Sequence, residues 1–269
     1  MLTNHNKFLL FLSFTVILTI GAIVSCTKDE LKKDTTPAAP ENINPSFLEE
    51  FDTVGVLAKK GWIFKNNSNP LGQTGWRQGR YEAANQVKFS TVGPYLGFPA
   101  YSAHNTPNDF ISCDVSCLAD LDGLGGNISS WLISPALPMS NGDKITFYSR
   151  ATDDALYYDH ATDRMQVRAN FTDGATNIGN TPLSVGSFTD LLLDINADRV
   201  YNYQGGYPSK WTKYAITISG IPGNGKISNG RFAFRYFNED SGLQGGSGAS
   251  GIYYNPTVVG IDQLSFTHN

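Results

Sequence analysis

Cys113 and Cys117 are a pair of thiols whose spacing limits the chemistry open to them. Along a straight strand, four positions span about 13 Å, whereas a disulfide needs Cα atoms within about 7 Å of each other. We therefore predict a Cys113–Cys117 disulfide formed by a turn at residues 114–116. Zinc is not expected here, because the chain has no Cys-x-x-Cys motif and no histidine nearby.

Carboxylates and histidines give no catalytic pattern. A glycosidase needs two carboxylates at a cleft, but Asp153, Asp154, Asp159 and Asp163 are predicted to share one solvated loop. The chain has four histidines and neither a His-Glu-x-x-His nor a Gly-x-Ser-x-Gly motif. We predict that the protein is not an enzyme. A glycoside hydrolase with an unrecognised carboxylate pair is the weakest alternative.

The N-terminal segment ends at a third cysteine. Residues 1–25 contain Lys7, then an apolar run from Phe8 to Ile23 that is short for a membrane span, then Val-Ser before Cys26. This pattern is similar to a bacterial lipoprotein signal peptide, and it predicts that Cys26 carries a lipid anchor to the membrane. An uncleaved anchor, or a secretion signal with an incidental cysteine, is the alternative.

Residues 26–45 are predicted to be a flexible tether, because they are polar and charged and have no apolar period. The run from Cys26 to Glu30 resembles the export signal of surface lipoproteins in Bacteroidetes. We therefore expect a protein anchored in the outer membrane and displayed on the cell surface. A solvated charged linker is the plainer interpretation.

The charge balance limits the partners. Without residues 1–25 the chain loses one basic side chain, leaving 19 Lys and Arg against 24 Asp and Glu, a net charge of −5. Such a chain is not expected to bind nucleic acid, nor an anionic membrane by electrostatics.

Residues 46–269 predict a single all-β domain. Apolar and polar side chains alternate with a two-residue period at 164–171, 211–219 and 231–237. An Asn-Gly pair at 141–142 predicts a tight turn before the strand at 144–150. About ten short strands joined by glycine-rich connectors indicate a jelly-roll β-sandwich of two antiparallel sheets. Trp131 is predicted to lie in the core between the sheets.

A set of short motifs resembles the choice-of-anchor J domain, a family related to cleaved-adhesin modules and similar in fold to MAM-like jelly rolls. The resemblance covers residues 47–266 and implies a surface domain suited to adhesion or glycan contact. The motifs occur in order at residues 61–70, 76–79, 128–135, 141–148, 163–168, 188–196, 206–211, 230–236 and 260–262.

The same resemblance implies a structural Ca²⁺ that joins the first strand to the last. The matching positions are Asp52 and Asp262, with Glu50 as a helper, and carboxylate oxygens suit this ion. Two ordinary surface acids are the alternative. Asp120 begins a stretch like a calcium loop, but Trp131 stands at the twelfth position where an acid is needed, so an acidic turn is favoured.

Loop tyrosines are the predicted ligand contacts, because exposed rings stack on sugars or anchor protein interfaces. These are Tyr201, Tyr203, Tyr207, Tyr253 and Tyr254. The alternative is that the rings fold back over the edges of the sandwich. We therefore expect a non-catalytic surface lipoprotein that contacts a glycan or a surface protein. The other interpretation is a structural accessory of an envelope complex with no affinity for glycans.

Overall fold

The computed structural model describes residues 45–81, 97–119, 125–152, 161–241 and 256–269. Within these residues, no helix is both long and apolar enough to span a membrane. Short 3₁₀ helices occur at Val54–Lys60, Val115–Cys117 and Asn202–Gln204. The strands are β1 (Phe47–Glu49), β2 (Ile63–Asn66), β3 (Arg77–Gln78), β4 (Ile111–Asp114), β5 (Gly126–Ile133), β6 (Leu137–Ser140), β7 (Lys144–Ala151), β8 (Met165–Asn170), β9 (Asp190–Ile195), β10 (Thr212–Thr217), β11 (Lys226–Ser241) and β12 (Val258–Thr267).

In the described parts of the chain, the strands form two antiparallel sheets of six strands each, so the predicted all-β sandwich is confirmed. The first sheet has the order β10-β7-β12-β4-β3, and β1 also pairs with β12. The second sheet has the order β2-β5-β11-β8-β9, and β6 also pairs with β11. Strand β6 was not predicted, because it contains Pro138. That residue lies where the register of the β6–β11 pairing shifts, a position that tolerates proline.

Aromatic rings fill the space between the two sheets. Phe147 of the first sheet meets Phe234 of the second with ring centroids 5.0 Å apart, and Phe266 meets Phe232 at 6.2 Å. These residues alternate along their strands with outward-facing ones, as the two-residue period predicts. Edge-to-face and offset ring pairs add to the free energy of burial, so this layer helps to hold the two sheets together.

Trp131 is buried, but the prediction that it lies between the sheets is wrong. It points to the outer face of the second sheet, where it packs with Ile178 and Phe188 beneath the β8–β9 connection. Arg235 lies beside it, with the guanidinium carbon 3.7 Å from the centroid of the Phe237 ring. Burial lowers the pKa of Arg235 to about 9, so the side chain stays charged at neutral pH. Sequence period fixes the alternation of side chains but not which face meets the second sheet.

Candidate functional site

One loop, residues 97–110, crosses the outer face of the first sheet. Phe98 and Phe110 pack there against Val258, and the indole N–H of Trp211 donates to the Pro99 carbonyl at 2.9 Å. Gly260 makes this close approach feasible, because a Cβ atom at that position would lie 2.6 Å from the Phe98 ring. The loop therefore sits on the sheet as a fixed layer.

Asp109 holds the loop closed. Its carboxylate accepts the backbone N–H groups of His104, Asn105 and Thr106, and it also accepts the Thr106 hydroxyl at 2.8 Å. Desolvation acts to raise the pKa of Asp109, but these donors outweigh it and lower the pKa to about 2. The charged carboxylate is therefore the form that organises the loop at neutral pH.

The loop brings His104 to the two acids that follow β1. The imidazole Nδ1 lies 3.0 Å from Asp52 Oδ1, and Nε2 lies 3.5 Å from Glu50 Oε1. One ligand atom from each of these three side chains lies within 4.8 Å of the others. Hydrogen bonding to Asp52 is the main cause that raises the pKa of His104. We call these three residues the acid–histidine cluster.

The donor set of the acid–histidine cluster fits Ca²⁺ in part. Glu50 and Asp52 supply hard carboxylate oxygens, as Ca²⁺ prefers, whereas an imidazole nitrogen suits transition metals such as zinc. Asp262 lies beside the cluster but is engaged elsewhere. Its carboxylate accepts the backbone N–H of Ser102 at 3.0 Å and that of Gln263 at 2.8 Å. Burial raises the pKa of Asp262 to about 6.

Two residues with left-handed backbone flank this region. Phe51 has φ 57° and Gln263 has φ 49°, and neither is a glycine. Phe51 turns its ring into the core while the acids on either side of it face the loop. Gln263 sits where the β12–β7 register shifts, and its amide donates to Glu50 Oε1 at 2.7 Å. Such conformations cost about 1–3 kcal/mol each, so the surrounding packing holds the acids in place.

An aromatic surface lies on the same loop and sheet face. The Tyr101 ring stacks on the Tyr148 ring with centroids 3.7 Å apart and planes inclined by 16°, and 46% of Tyr101 is exposed. The Trp211 ring stands edge-on to Tyr101 at 6.4 Å. We call Tyr101, Tyr148 and Trp211 the outer aromatic patch. Sequence reasoning did not select these residues, because the first lies in a long polar stretch and the other two lie in or beside strands.

The structure places some of the predicted contact tyrosines on the surface and buries another. Tyr203 is 54% exposed, and its ring lies parallel to Tyr201 at 5.8 Å. The prediction for Tyr207 is wrong, because this residue is fully buried and its hydroxyl bonds the Ser149 hydroxyl at 2.7 Å. Tyr253 and Tyr254 lie outside the described residues.

Cys113 and Cys117 are free thiols in the structure, so the predicted disulfide is not formed. The predicted turn is present as the 3₁₀ helix Val115–Cys117, and the Asp114 carboxylate caps it by accepting the Ser116 N–H. Both thiols are buried, and burial raises the pKa of Cys113. Buried, protonated thiols are poor nucleophiles. Cys26 lies outside the described residues.

The prediction that Asp163 lies in a solvated loop is wrong, because this residue is fully buried. Its carboxylate accepts four hydrogen bonds of 2.7–2.8 Å, from the Tyr236 hydroxyl, the Asn202 amide, and the hydroxyl and backbone N–H of Thr257. Burial is the main cause that raises its pKa. Through Tyr236 of β11 and Thr257 just before β12, Asp163 joins the two sheets.

Comparison with solved structures finds matches of low sequence identity. The K1 cleaved adhesin domain of Lys-gingipain from Porphyromonas gingivalis W83 is 17% identical, covers 83% of this chain and 98% of its own, and gives a TM-score of 0.45. The K3 domain of the same protein is 15% identical with the same coverage and a TM-score of 0.42. TmCBM61, solved in complex with β-1,4-galactotriose, is 9% identical, covers 84% of this chain and 89% of its own, and gives 0.31.

At these identities and TM-scores, the likenesses assign neither a family nor a function. No protein-family model matches the chain. No curated protein matches it either. The choice-of-anchor J assignment therefore stays a prediction.

Proposed function

We propose that this chain is a non-catalytic surface module that contacts carbohydrate through the outer aromatic patch. The observation that carries the proposal is the Tyr101 ring, which is 46% exposed although it is stacked on Tyr148. An exposed ring that is already held in one orientation gives contact area at little cost in conformational entropy. The loop beneath it is fixed by Asp109 and Asp262, so the patch is ready before a ligand arrives.

The Tyr101→Ala variant is expected to lose at least tenfold in glycan affinity, because removing a central aromatic anchor typically costs more than about 1.4 kcal/mol. Binding should be measured on a glycan array and then by calorimetry with the best ligand. Tyr203→Ala tests the other exposed tyrosine group, and Leu183→Ala, 54% exposed and apolar, serves as the neutral control. If Tyr203→Ala loses binding and Tyr101→Ala keeps it, the contact surface is the Tyr201–Tyr203 pair.

A wild-type protein that binds no glycan on the array would remove the carbohydrate part of the proposal. The structural accessory role would then be the better interpretation. Retained thermal stability in each variant is the check that a loss of binding is local.

The proposal includes a divalent cation at the acid–histidine cluster, with Ca²⁺ held by Glu50 and Asp52. At about 100 times Kd, binding adds about 2.7 kcal/mol to the free energy of unfolding, or about 5–10 °C of Tm for a domain of this size. The measurement is thermal unfolding of chelator-treated protein with and without Ca²⁺. The shift should vanish in Asp52→Asn. Asp262→Asn tests whether Asp262 also binds the ion, as the family resemblance implies, although its carboxylate accepts backbone N–H groups in the structure.

Zinc is the comparison ion, because His104 offers nitrogen. If zinc raises the Tm of the wild type but not of His104→Gln, and Ca²⁺ has no effect, then zinc is the ion of this site and Ca²⁺ is not. No stabilisation by either ion would leave His104 as the positive partner of the two acids.

The proposal places the module on the cell surface through a lipid on Cys26. Replacing Cys26 by serine removes the acceptor thiol, so the protein should move from the membrane fraction to the soluble fraction. Cys113→Ser is the matched control, because that thiol is buried in the sandwich. Equal membrane association of Cys26→Ser and wild-type protein would contradict the anchor.

A further inference from the structure

The outer aromatic patch carries a positive charge on its rim. Lys213 lies on β10 directly opposite Tyr148 of β7, and its Nζ is 5.9 Å from the centroid of the Tyr148 ring. Lys213 is exposed. Among the described parts of the chain, it forms no ion pair with a carboxylate. Its ammonium group is therefore available to a ligand that lies on Tyr101.

The acid on the neighbouring strand β12 and the two acids of the acid–histidine cluster already have partners. Asp262 is buried below the patch, and its oxygens accept backbone N–H groups. Glu50 and Asp52 lie against the imidazole of His104, at 3.5 Å and 3.0 Å. A ligand anion would contact the Lys213 ammonium group over a few ångströms. Charges more than about 8–10 Å from that ligand are largely screened at physiological salt. Lys213 therefore places a cation at the edge of the Tyr101–Tyr148 ring pair, although the whole chain is acidic.

From this arrangement we infer that the outer aromatic patch selects an anionic glycan, with a sugar ring on Tyr101 and its carboxylate paired with Lys213. The inference rests on the proposed carbohydrate contact and names its ligand class. Stacking on the Tyr101 ring gives affinity for neutral and charged sugars alike. The Lys213 ammonium group distinguishes a charged sugar from a neutral one of the same shape. Sulfated sugars share the same charge, so the test separates the two.

The probes are galacturonic acid oligomers, the same oligomers as methyl esters, and a sulfated galactan. The full chain should bind the acid oligomer about fivefold more tightly than its ester, the range of an exposed ion pair. Lys213→Ala should remove that preference and leave the affinity for the ester unchanged. A rise in salt from about 0.05 M to 0.5 M should also remove the preference, because screening weakens it.

Lys144→Ala is the matched control, since Lys144 lies exposed on the same face of β7, about 13 Å along the strand from Tyr148. It should keep the preference for the acid oligomer. Equal binding of acid and ester by the wild type, or an equal loss in both lysine variants, would overturn the inference. Tyr101→Ala distinguishes the carbohydrate contact from the preference for anionic sugars. If Tyr101→Ala weakens binding of both oligomers while Lys213→Ala weakens binding of neither, the carbohydrate contact stands and the anionic preference fails. Tighter binding of the sulfated galactan than of the acid oligomer would also overturn the assignment of a carboxylate.

Discussion

Replacing Asp163 by alanine is expected to lower the free energy of unfolding by about 3–5 kcal/mol, as breaking a buried hydrogen-bond network does. The variant leaves the donors of Tyr236, Asn202 and Thr257 without their shared acceptor. An unsatisfied buried donor costs about 1–3 kcal/mol, and partial relaxation keeps the total below the sum. Because Tyr236 belongs to the second sheet and Thr257 leads into the first, the loss should affect the whole sandwich.

Urea unfolding followed by tryptophan fluorescence measures this effect, with the m-value as a check that the same surface is exposed. Asp163→Asn keeps one acceptor oxygen and should be intermediate. Asp198→Ala removes an exposed acid of the same type and should change stability by no more than about 0.5 kcal/mol. If Asp163→Ala and Asp198→Ala have equal midpoints, the carboxylate does not hold the sheets together.

Strand positions were predictable because apolar and polar residues alternate along a strand that is buried on one face. Strand β11 shows this, since Phe232, Phe234 and Tyr236 face the other sheet while Arg235 faces out. The same pattern cannot say what covers the outer face. Arg235 and Trp131 are buried because the β8–β9 connection lies over them, and no local pattern encodes that contact.

The candidate site was predictable only where it coincides with the strand ends. The family resemblance selected Glu50 and Asp52 after the first strand, together with Asp262, and the structure groups the first two with His104 instead. His104 and Tyr101 reach the site through a loop, so their position depends on long-range packing of that loop against β12. Tyr207 shows the opposite error. Its flanking glycine and proline indicate an exposed loop, yet its hydroxyl finds a partner inside the sandwich.

Substituting valine at Gly260 is expected to displace the 97–110 loop and to weaken glycan binding by at least tenfold. A Cβ atom at this position would lie 2.6 Å from Phe98 and 3.1 Å from Phe110, so the rings must move. Overpacking of this kind costs about 1–3 kcal/mol. The neighbours Val259 and Ile261 face the inter-sheet core, so β12 itself should remain in place. The expected variant is therefore a folded sandwich that has lost its outer layer.

Hydrogen exchange distinguishes this outcome from general unfolding, because amides of residues 97–110 should exchange faster while those of the inter-sheet strands keep their protection. Gly55→Ala is the control, since a Cβ atom there meets nothing within 4 Å. Shortening the opposing ring should relieve the clash, so Phe98→Leu in a Gly260→Ala background should restore binding in part. Unchanged exchange in the loop together with unchanged glycan affinity in Gly260→Val would contradict the link between this glycine and the patch. A loss of protection throughout β12 would show instead that Gly260 supports the sheet itself.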